Sequence, residues 1–331
     1  MRILGITSAQ SGVGYHRIIM PVAHMQKDYA MLTDTLTDET VDGNYDIFLM
    51  NRFFSGVSID QVLAWRKKHG FKLVVDNDDF WQLDPTHILY ERYKHGDITL
   101  KILEYVQEAD LCTVTHERLA DEVYKFNKNV VILPNALPYG EEQFLDNKIE
   151  SDLIRLFWGG SGTHEPDIKI LKNPMRKISQ LLGIKSVIAG YNDQEQYVWN
   201  KMCMWFSNNY KIPTQIYRFT ETFKYMAAYA DSDISLIPLV ESTFNSMKSN
   251  LKVLETAAKK NPAIVSNVHP YKDMPVLYVN KQTDWFKHTR DLVHDDQMRI
   301  ELGLKLHEYC VQNYSLKHIN KQRFDIYSKL L

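Results

Sequence analysis

The chain has 331 residues, 44% apolar and 24% charged, with a formal net charge of −2. These values describe a globular protein with room for two domains and exclude a disordered chain; they carry no overall signature of a polyanion binder, although a local basic face stays open. No apolar run approaches the roughly 18 residues a membrane-spanning helix needs, and the start, MRILGITSAQ, is too short and too polar after Ile6 for a signal peptide.

In chain order, short apolar runs alternate with longer amphipathic stretches. Strands are expected at 2–7, 45–51, 72–77, 111–115 and 130–135, then at 154–159, 185–190, 214–219, 234–239, 263–267 and 275–280. Between them lie stretches of helical period such as IDQVLAWRKKH (59–69) and QEQYVWNKMCMWFSNN (194–209). Alternation of this kind predicts parallel sheets with crossover helices, and continuous apolar runs predict strands buried on both faces. The weakest pattern, PYGEEQFLDNKIESD (138–152), is read as a linker between two doubly wound domains. The last stretch, YSLKHINKQRFDIYSKLL, is a helix with no strand after it.

Five stretches carry candidate chemistry. SAQSGVGYHRI (8–18) follows the first strand, and Gly12 and Gly14 would let backbone approach a phosphate or would simply form a strand-to-helix turn. VVDNDDFWQLDP (74–85) ends a strand with Asp76, Asp78 and Asp79; such carboxylates hold a divalent cation, act as a general base, or cap the next helix. Trp81 beside them could stack on a sugar or a base, or pack inside the domain. VVILPNALPYG (130–140) brings the first half to its end, with Asn135 in a structural role. FWGGSGTHEPD (157–167) opens the second half with a glycine-rich loop in which Gly159, Gly160 and Ser161 suit close approach to a diphosphate.

The fifth stretch, FNSMKSNLKVLETAAKKNPAIVSN (244–267), places Lys248, Lys252 and Glu255 within about 60° of one another on a helix from about Ser249 to Lys259. Val253, Leu254, Ala257 and Ala258 fall on the opposite side and are expected to pack on the sheet. The charges would then share one exposed stripe at the helix start, where backbone N–H groups attract anions. Two lysines strengthen a phosphate site and a carboxylate two turns in can accept from sugar hydroxyls, a combination that describes a nucleotide. The same spacing also fits an ordinary solvated face.

Taken together and in this order, these stretches resemble the GT-B glycosyltransferases, in particular family 4 and its relatives of bacterial and phage type. The resemblance implies two Rossmann-like parallel-sheet domains facing a cleft: residues 1–145 binding the acceptor, 150–314 binding a nucleotide sugar, and a terminal helix, 315–331, returning to the first domain. It implies that Glu255 holds the ribose hydroxyls, that Lys248, Ser249, Asn250 and Lys252 hold the diphosphate, and that Arg218 lies near the nucleobase or phosphate. Gly12, Gly14, Gly159, Gly160 and Ser161 join this donor set. His164 and Asp167 match a G-S-x-x-H-x-x-D pattern seen in such relatives. His16, Arg17, Arg52, Asp76 and Trp81 fall to the acceptor side, and Asp78, Asp79 and His164 are the catalytic candidates. A second glutamate usual in the family, eight positions before Glu255, is Met247 here.

The expected activity is transfer of a sugar from a nucleoside diphosphate sugar, a UDP-sugar favoured, to an acceptor hydroxyl, with no cofactor and no catalytic metal. The acceptor would be a saccharide or, as the resemblance to phage-type chains implies, a hydroxymethylated DNA base; basic and aromatic residues of the first half (Arg52, Phe53, Phe54, Arg66, Lys67, Lys68, His69, Lys72, Arg92, Tyr93, Lys94, His95) would line a phosphate track or form solvated helix faces. A non-catalytic nucleotide- or carbohydrate-binding module and a UDP-sugar epimerase are the rival readings. A dehydrogenase should carry a complete G-x-G-x-x-G, of which this chain has only part. Cys112, Cys203 and Cys310 are far apart and form no C-x-x-C pair, which suits a reducing, cytoplasmic setting.

Overall fold

Strands β1 (Ile3–Ile6), β2 (Ala30–Thr33), β3 (Ile47–Asn51), β4 (Lys72–Asn77), β5 (Leu111–Val114) and β6 (Val130–Ile132) form one parallel sheet in the order β2-β1-β3-β4-β5-β6. Strands β7 (Ile154–Gly159), β8 (Ile184–Tyr191), β9 (Thr214–Arg218), β10 (Ile234–Ile237), β11 (Ala263–Ser266) and β12 (Leu277–Val279) form a second, also parallel, in the order β12-β11-β10-β7-β8-β9. This is a computed structural model, and it describes residues 1–7, 12–25, 30–54, 56–85 and 87–331. The alternating strand–helix pattern therefore gives the doubly wound α/β architecture it implies, and β2 is the strand the sequence pattern does not reveal.

The reason is burial on both faces. β1, β5, β10 and β11 are buried along their whole length, as crossover helices on each side of a parallel sheet require. In the first sheet Phe48 of β3 stacks on Phe71 with ring centroids 3.5 Å apart. In the second, Leu156, Trp158, Ile188, Trp199, Phe206, Leu236 and Trp285 meet in one apolar core.

Two compact units contain these sheets. The first comprises Met1–Ala136, Met247–Ser249 and Leu316–Leu331; the second comprises Leu137–Ser246 and Asn250–Ser315. Residues of the last helix, Leu316–Ser328, thus cluster with the first unit, where Asn320 Nδ2 donates to the carbonyl of Pro21 at 2.9 Å. The polar stretch read as a linker clusters with the second unit. Lys259 is buried, and its Nζ donates to Gln143 O, Leu145 O and Asn147 Oδ1 at 3.1, 2.6 and 2.8 Å. Burial lowers the Lys259 pKa to about 8, with Asp146 opposing the shift.

In each sheet the strand order reverses at one place: between β1 and β3 in the first and between β7 and β10 in the second. At such a point the loops leaving the two strands' carboxyl ends diverge to opposite faces and open a crevice, which is where ligands of open α/β sheets bind.

Candidate functional site

In the second unit the loop after β7 runs through Gly159, Gly160 and Ser161 into a short 3-10 turn, Gly162–His164, and the helical turn Glu165–Ile168. Two glycines make its path possible. A Cβ on Gly190, which has φ +104°, would lie 2.0 Å from the Gly160 carbonyl oxygen. A Cβ on Gly160 would lie 3.0 Å from the Trp158 ring and 3.1 Å from Lys252 Nζ. The backbone at 160 is thus hemmed in by β8 on one side and by an aromatic–lysine pair on the other.

Lys252 stands on the helix Leu251–Ala258, which follows β10. Its ammonium sits 5.2 Å from the centre of the Trp158 ring, a cation–π distance. Val253, Leu254, Ala257 and Ala258 are fully buried, as the helical spacing requires. Glu255 departs from expectation: it is not on an exposed stripe but is only 6% exposed. Tyr225 Oη donates to its Oε1 at 2.7 Å and Tyr229 Oη to its Oε2 at 2.5 Å. Burial raises the Glu255 pKa, while the two phenols and Lys252 oppose the rise. Tyr225 and Tyr229, one helical turn apart, are residues the sequence reading missed; their i,i+4 spacing is the available signal, but nothing in it points to a carboxylate 26 residues on.

The expected G-S-x-x-H-x-x-D pattern closes on itself. The His164 Nδ1 and Asp167 Oδ2 atoms are 2.7 Å apart. Asp167 is buried, and its Oδ1 accepts from the Val240 backbone N–H at 2.8 Å and from Asn245 Nδ2 at 3.4 Å, so it joins the loop after β7 to the loop after β10. Burial alone would raise the Asp167 pKa, yet it lies below the ordinary value because His164, the Val240 N–H and Lys252 favour the carboxylate.

The remaining donor-side candidates disperse. Arg218 is exposed at the end of edge strand β9 and pairs with Asp193 at 3.0 Å. Asn250 precedes the 251–258 helix, and its Nδ2 donates to Met274 Sδ at 3.6 Å. Lys248 and Ser249 cluster with the first unit, where Ser249 Oγ accepts from Asn135 Nδ2 at 2.7 Å. Gly12 and Gly14 also lie in the first unit; Gly14 is helical at φ −56°, and a Cβ on Gly12 would meet nothing within 4 Å. Gly12 is therefore not required there by backbone geometry, and the φ of Gly14 is one any residue adopts. Residues 8–11 of the same loop lie outside the described residues.

In the first unit the acceptor-side candidates separate into a buried network and a half-open cluster. Arg17 is 1% exposed, and its Nε and Nη2 donate to the two Asp76 carboxylate oxygens at 2.8 and 2.7 Å. Its other donors go to Asn135 Oδ1 and Leu133 O, and Thr113 Oγ1 donates to Asp76 Oδ2 at 2.6 Å. Arg17 and Asp76, both expected on the acceptor side, thus form a buried ion pair joining β4, β5 and the chain after β6. His16 is buried beside them, and desolvation with the Arg17 charge lowers its pKa to about 3, which keeps it neutral. Trp81 is likewise core, 1% exposed and packed against Phe80 and Phe126.

Arg52, Asp78 and Asp79 form the half-open cluster at the carboxyl end of β4. Arg52 Nη2 reaches Asp78 Oδ1 at 3.2 Å and Asp79 Oδ2 at 3.1 Å, while Nη1 donates to Tyr93 Oη at 3.2 Å. Arg52 holds a left-handed backbone conformation, φ +60°, fixed by its N–H donating to Asp76 O at 2.8 Å. Such strain costs about 1–3 kcal/mol and marks sites where a side chain must be aimed. Burial pushes the Asp78 pKa up to about 6, with Asp79 and Asp76 adding to the shift and Arg52 and Arg17 opposing it. Four other basic residues of this half lie beside acids: Arg66 and Lys72 at Asp110, His69 at Asp42, His95 at Glu91. Among the described residues no group of three or more His, Cys, Asp or Glu side chains is arranged to hold a metal ion.

By sequence, neither a protein-family model nor a curated protein matches the chain. By structure the likeness spans its length. HepE of Anabaena, solved in complex with UDP and glucose, superposes with a TM-score of 0.72 over 99% of both chains at 9% identity. A glycosyltransferase from Rickettsia africae superposes at 0.66 over 99% of this chain and 98% of that one, at 12% identity. Sucrose-phosphate synthase from Thermosynechococcus elongatus gives 0.63 over 88% and 75%, at 13% identity. The chain therefore has the fold of these glycosyltransferases, the GT-B fold that its motifs resemble.

Proposed function

We propose that this chain is a glycosyltransferase that takes a sugar from a nucleoside diphosphate sugar, a UDP-sugar favoured, without a catalytic metal. The observation that carries the reading is the convergence at the β7/β10 switch point of the second unit: the glycine loop 159–162, Lys252 above Trp158, and the carboxylate of Glu255. A diphosphate suits the loop and Lys252, and ribose hydroxyls, as donors, suit the carboxylate of Glu255. The full-length likeness in fold to HepE, which was solved with UDP and with UDP-glucose, supports the choice of uridine.

In this reading the departing diphosphate is stabilised electrostatically by Lys252, the loop N–H groups and His164, a task that needs no metal. Asp78, poised near pH 6, is the base for the acceptor hydroxyl, with Arg52, itself held by Asp79, fixing its orientation. Three buried, unpaired thiols support a cytoplasmic setting; among the described residues no helix is long and apolar enough to cross a membrane.

The test is thermal stability of the chain with UDP, GDP, ADP, CDP and NAD, with and without magnesium, repeated with Glu255→Ala. A ligand at 100 times its Kd adds about 2.7 kcal/mol. A shift with UDP that is independent of magnesium and lost in the variant is expected. No shift with any nucleoside diphosphate would overturn the donor site, and a shift with NAD alone would point to a dehydrogenase.

A further inference from the structure

The second unit holds a cavity of about 200 Å3 at the end of its sheet away from the glycine loop. The cavity lies where β10 and β11 begin: Asp233 precedes β10, and Asn261 and Pro262 precede β11. The glycine loop instead leaves the carboxyl end of β7, and β7, β10 and β11 all run parallel. A space of this size holds more than a single water, yet it falls below the about 300–1,000 Å3 of pockets that take drug-sized ligands. It suits one small group.

Four cations and two carboxylates line the cavity: Lys148, Lys259, Lys260 and Arg299 against Asp146 and Asp233. Both carboxylates already have cationic partners. The two oxygens of Asp233 accept from Arg155 Nε at 2.8 Å and Nη2 at 3.0 Å, and Asp146 accepts from Lys260 Nζ at 2.6 Å. The three groups that Lys259 Nζ reaches are two carbonyls and an amide oxygen, none of them charged. Arg299, on the helix Asp296–Tyr314, pairs at 2.7 Å with Asp296, whose side chain is 77% exposed. A partner so open to water compensates little of a charge.

Lys148 forms no hydrogen bond or ion pair among the described residues. It is exposed as a residue, but protein crowds its ammonium end. That desolvation lowers its pKa, and the cations Arg155 and Arg299 lower it further while Asp233 and Asp146 oppose them. The lining thus carries more positive charge than its own carboxylates neutralise. An anion among these side chains relieves their mutual repulsion; a cation adds to it, and a neutral sugar leaves it as it is.

We propose that this cavity binds a small oxyanion of the phosphate class, with Lys148 as its principal charged contact and Arg299 beside it. Phosphate matches the size of the cavity, the sign of its surplus charge and the donors of an ammonium and a guanidinium. The site shares no residue with the donor site at the β7/β10 switch point and does not depend on that reading.

The experiment is calorimetry of the full chain with inorganic phosphate at neutral pH, with sodium chloride at equal ionic strength as the control. Wild type, Lys148→Gln, Lys148→Arg and Lys252→Gln are compared. Lys148 has no partner to lose, so Lys148→Gln should keep the wild-type melting temperature in chloride. The wild type should bind phosphate, and Lys148→Gln should bind it at least about tenfold more weakly, as the loss of a hydrogen bond to a charged group predicts. Lys148→Arg, which keeps the charge, should restore binding, and Lys252→Gln should match the wild type. No phosphate binding above the chloride control, or equal binding by Lys148→Gln and the wild type, would overturn the site. Binding lost in Lys252→Gln alone would place the phosphate at the glycine loop and overturn it equally.

Discussion

Asp78→Asn replaces a buried, ionisable carboxylate by an amide of the same shape. Asp78 titrates near pH 6 in the folded chain against 3.8 for a free side chain, chiefly because burial penalises the charged form. The difference of about two pH units corresponds to about 3 kcal/mol. Because the folded value is raised, the folded state holds the Asp78 proton more tightly than the unfolded state does. The stability it contributes is fully present below the unfolded value, near pH 4, and is lost as pH rises through about 6. Carboxylates remote from this cluster titrate in the same window in both proteins and cancel in the comparison. Urea unfolding of wild type and variant at intervals from about pH 4 to about pH 7 should therefore show the variant gaining on the wild type by about 3 kcal/mol across that range. A difference that stays constant with pH to within about 0.5 kcal/mol would refute the raised Asp78 value and with it the case for Asp78 as a base near neutrality.

Three further outcomes follow from the packing. Asp76→Ala strips Arg17 of its carboxylate inside the first unit and should destabilise that unit by about 3–5 kcal/mol in denaturant unfolding; a loss below about 1 kcal/mol would mean the pair is solvated. Gly190→Ala drives a methyl group into the Gly160 carbonyl and should weaken UDP binding by calorimetry at least about tenfold while costing about 1–3 kcal/mol of stability; unchanged affinity would show that the 159–162 loop does not touch the nucleotide. Trp81→Ala should cost about 3–5 kcal/mol in thermal or urea unfolding with no pH-dependent change in activity; a specific loss of acceptor affinity in a stably folded variant would restore Trp81 to the acceptor site.

The fold was legible because parallel strands buried on two faces write themselves as largely apolar runs, and β3, β4, β7 and β10 all do. β2 escaped because it is an edge strand of four residues, AMLT, in a polar neighbourhood. The glycine loop after β7 and the His164–Asp167 spacing were legible because both are local. What was not legible depends on partners distant in sequence. Glu255 reads as exposed on a helical wheel, and only the fold brings Tyr225 and Tyr229 onto its two oxygens. Arg17 and Asp76 read as two polar residues at strand ends, yet 59 positions apart they form one buried ion pair. The stretch 138–152 reads as a linker on its polarity alone, while Lys259, from more than 100 residues later, donates to two of its carbonyls. Helical and strand periodicities report which face of an element is apolar; they carry no information about which polar group on another element will neutralise a buried charge.

The most direct test of the donor site is the crystal structure of the chain with UDP. The account predicts the diphosphate against Gly159, Gly160 and Ser161 within reach of Lys252, and the ribose hydroxyls within hydrogen-bonding distance of Glu255, which keeps or exchanges one of its tyrosine partners. UDP bound elsewhere, or bound with Glu255 still closed by Tyr225 and Tyr229 and remote from the ribose, would contradict it.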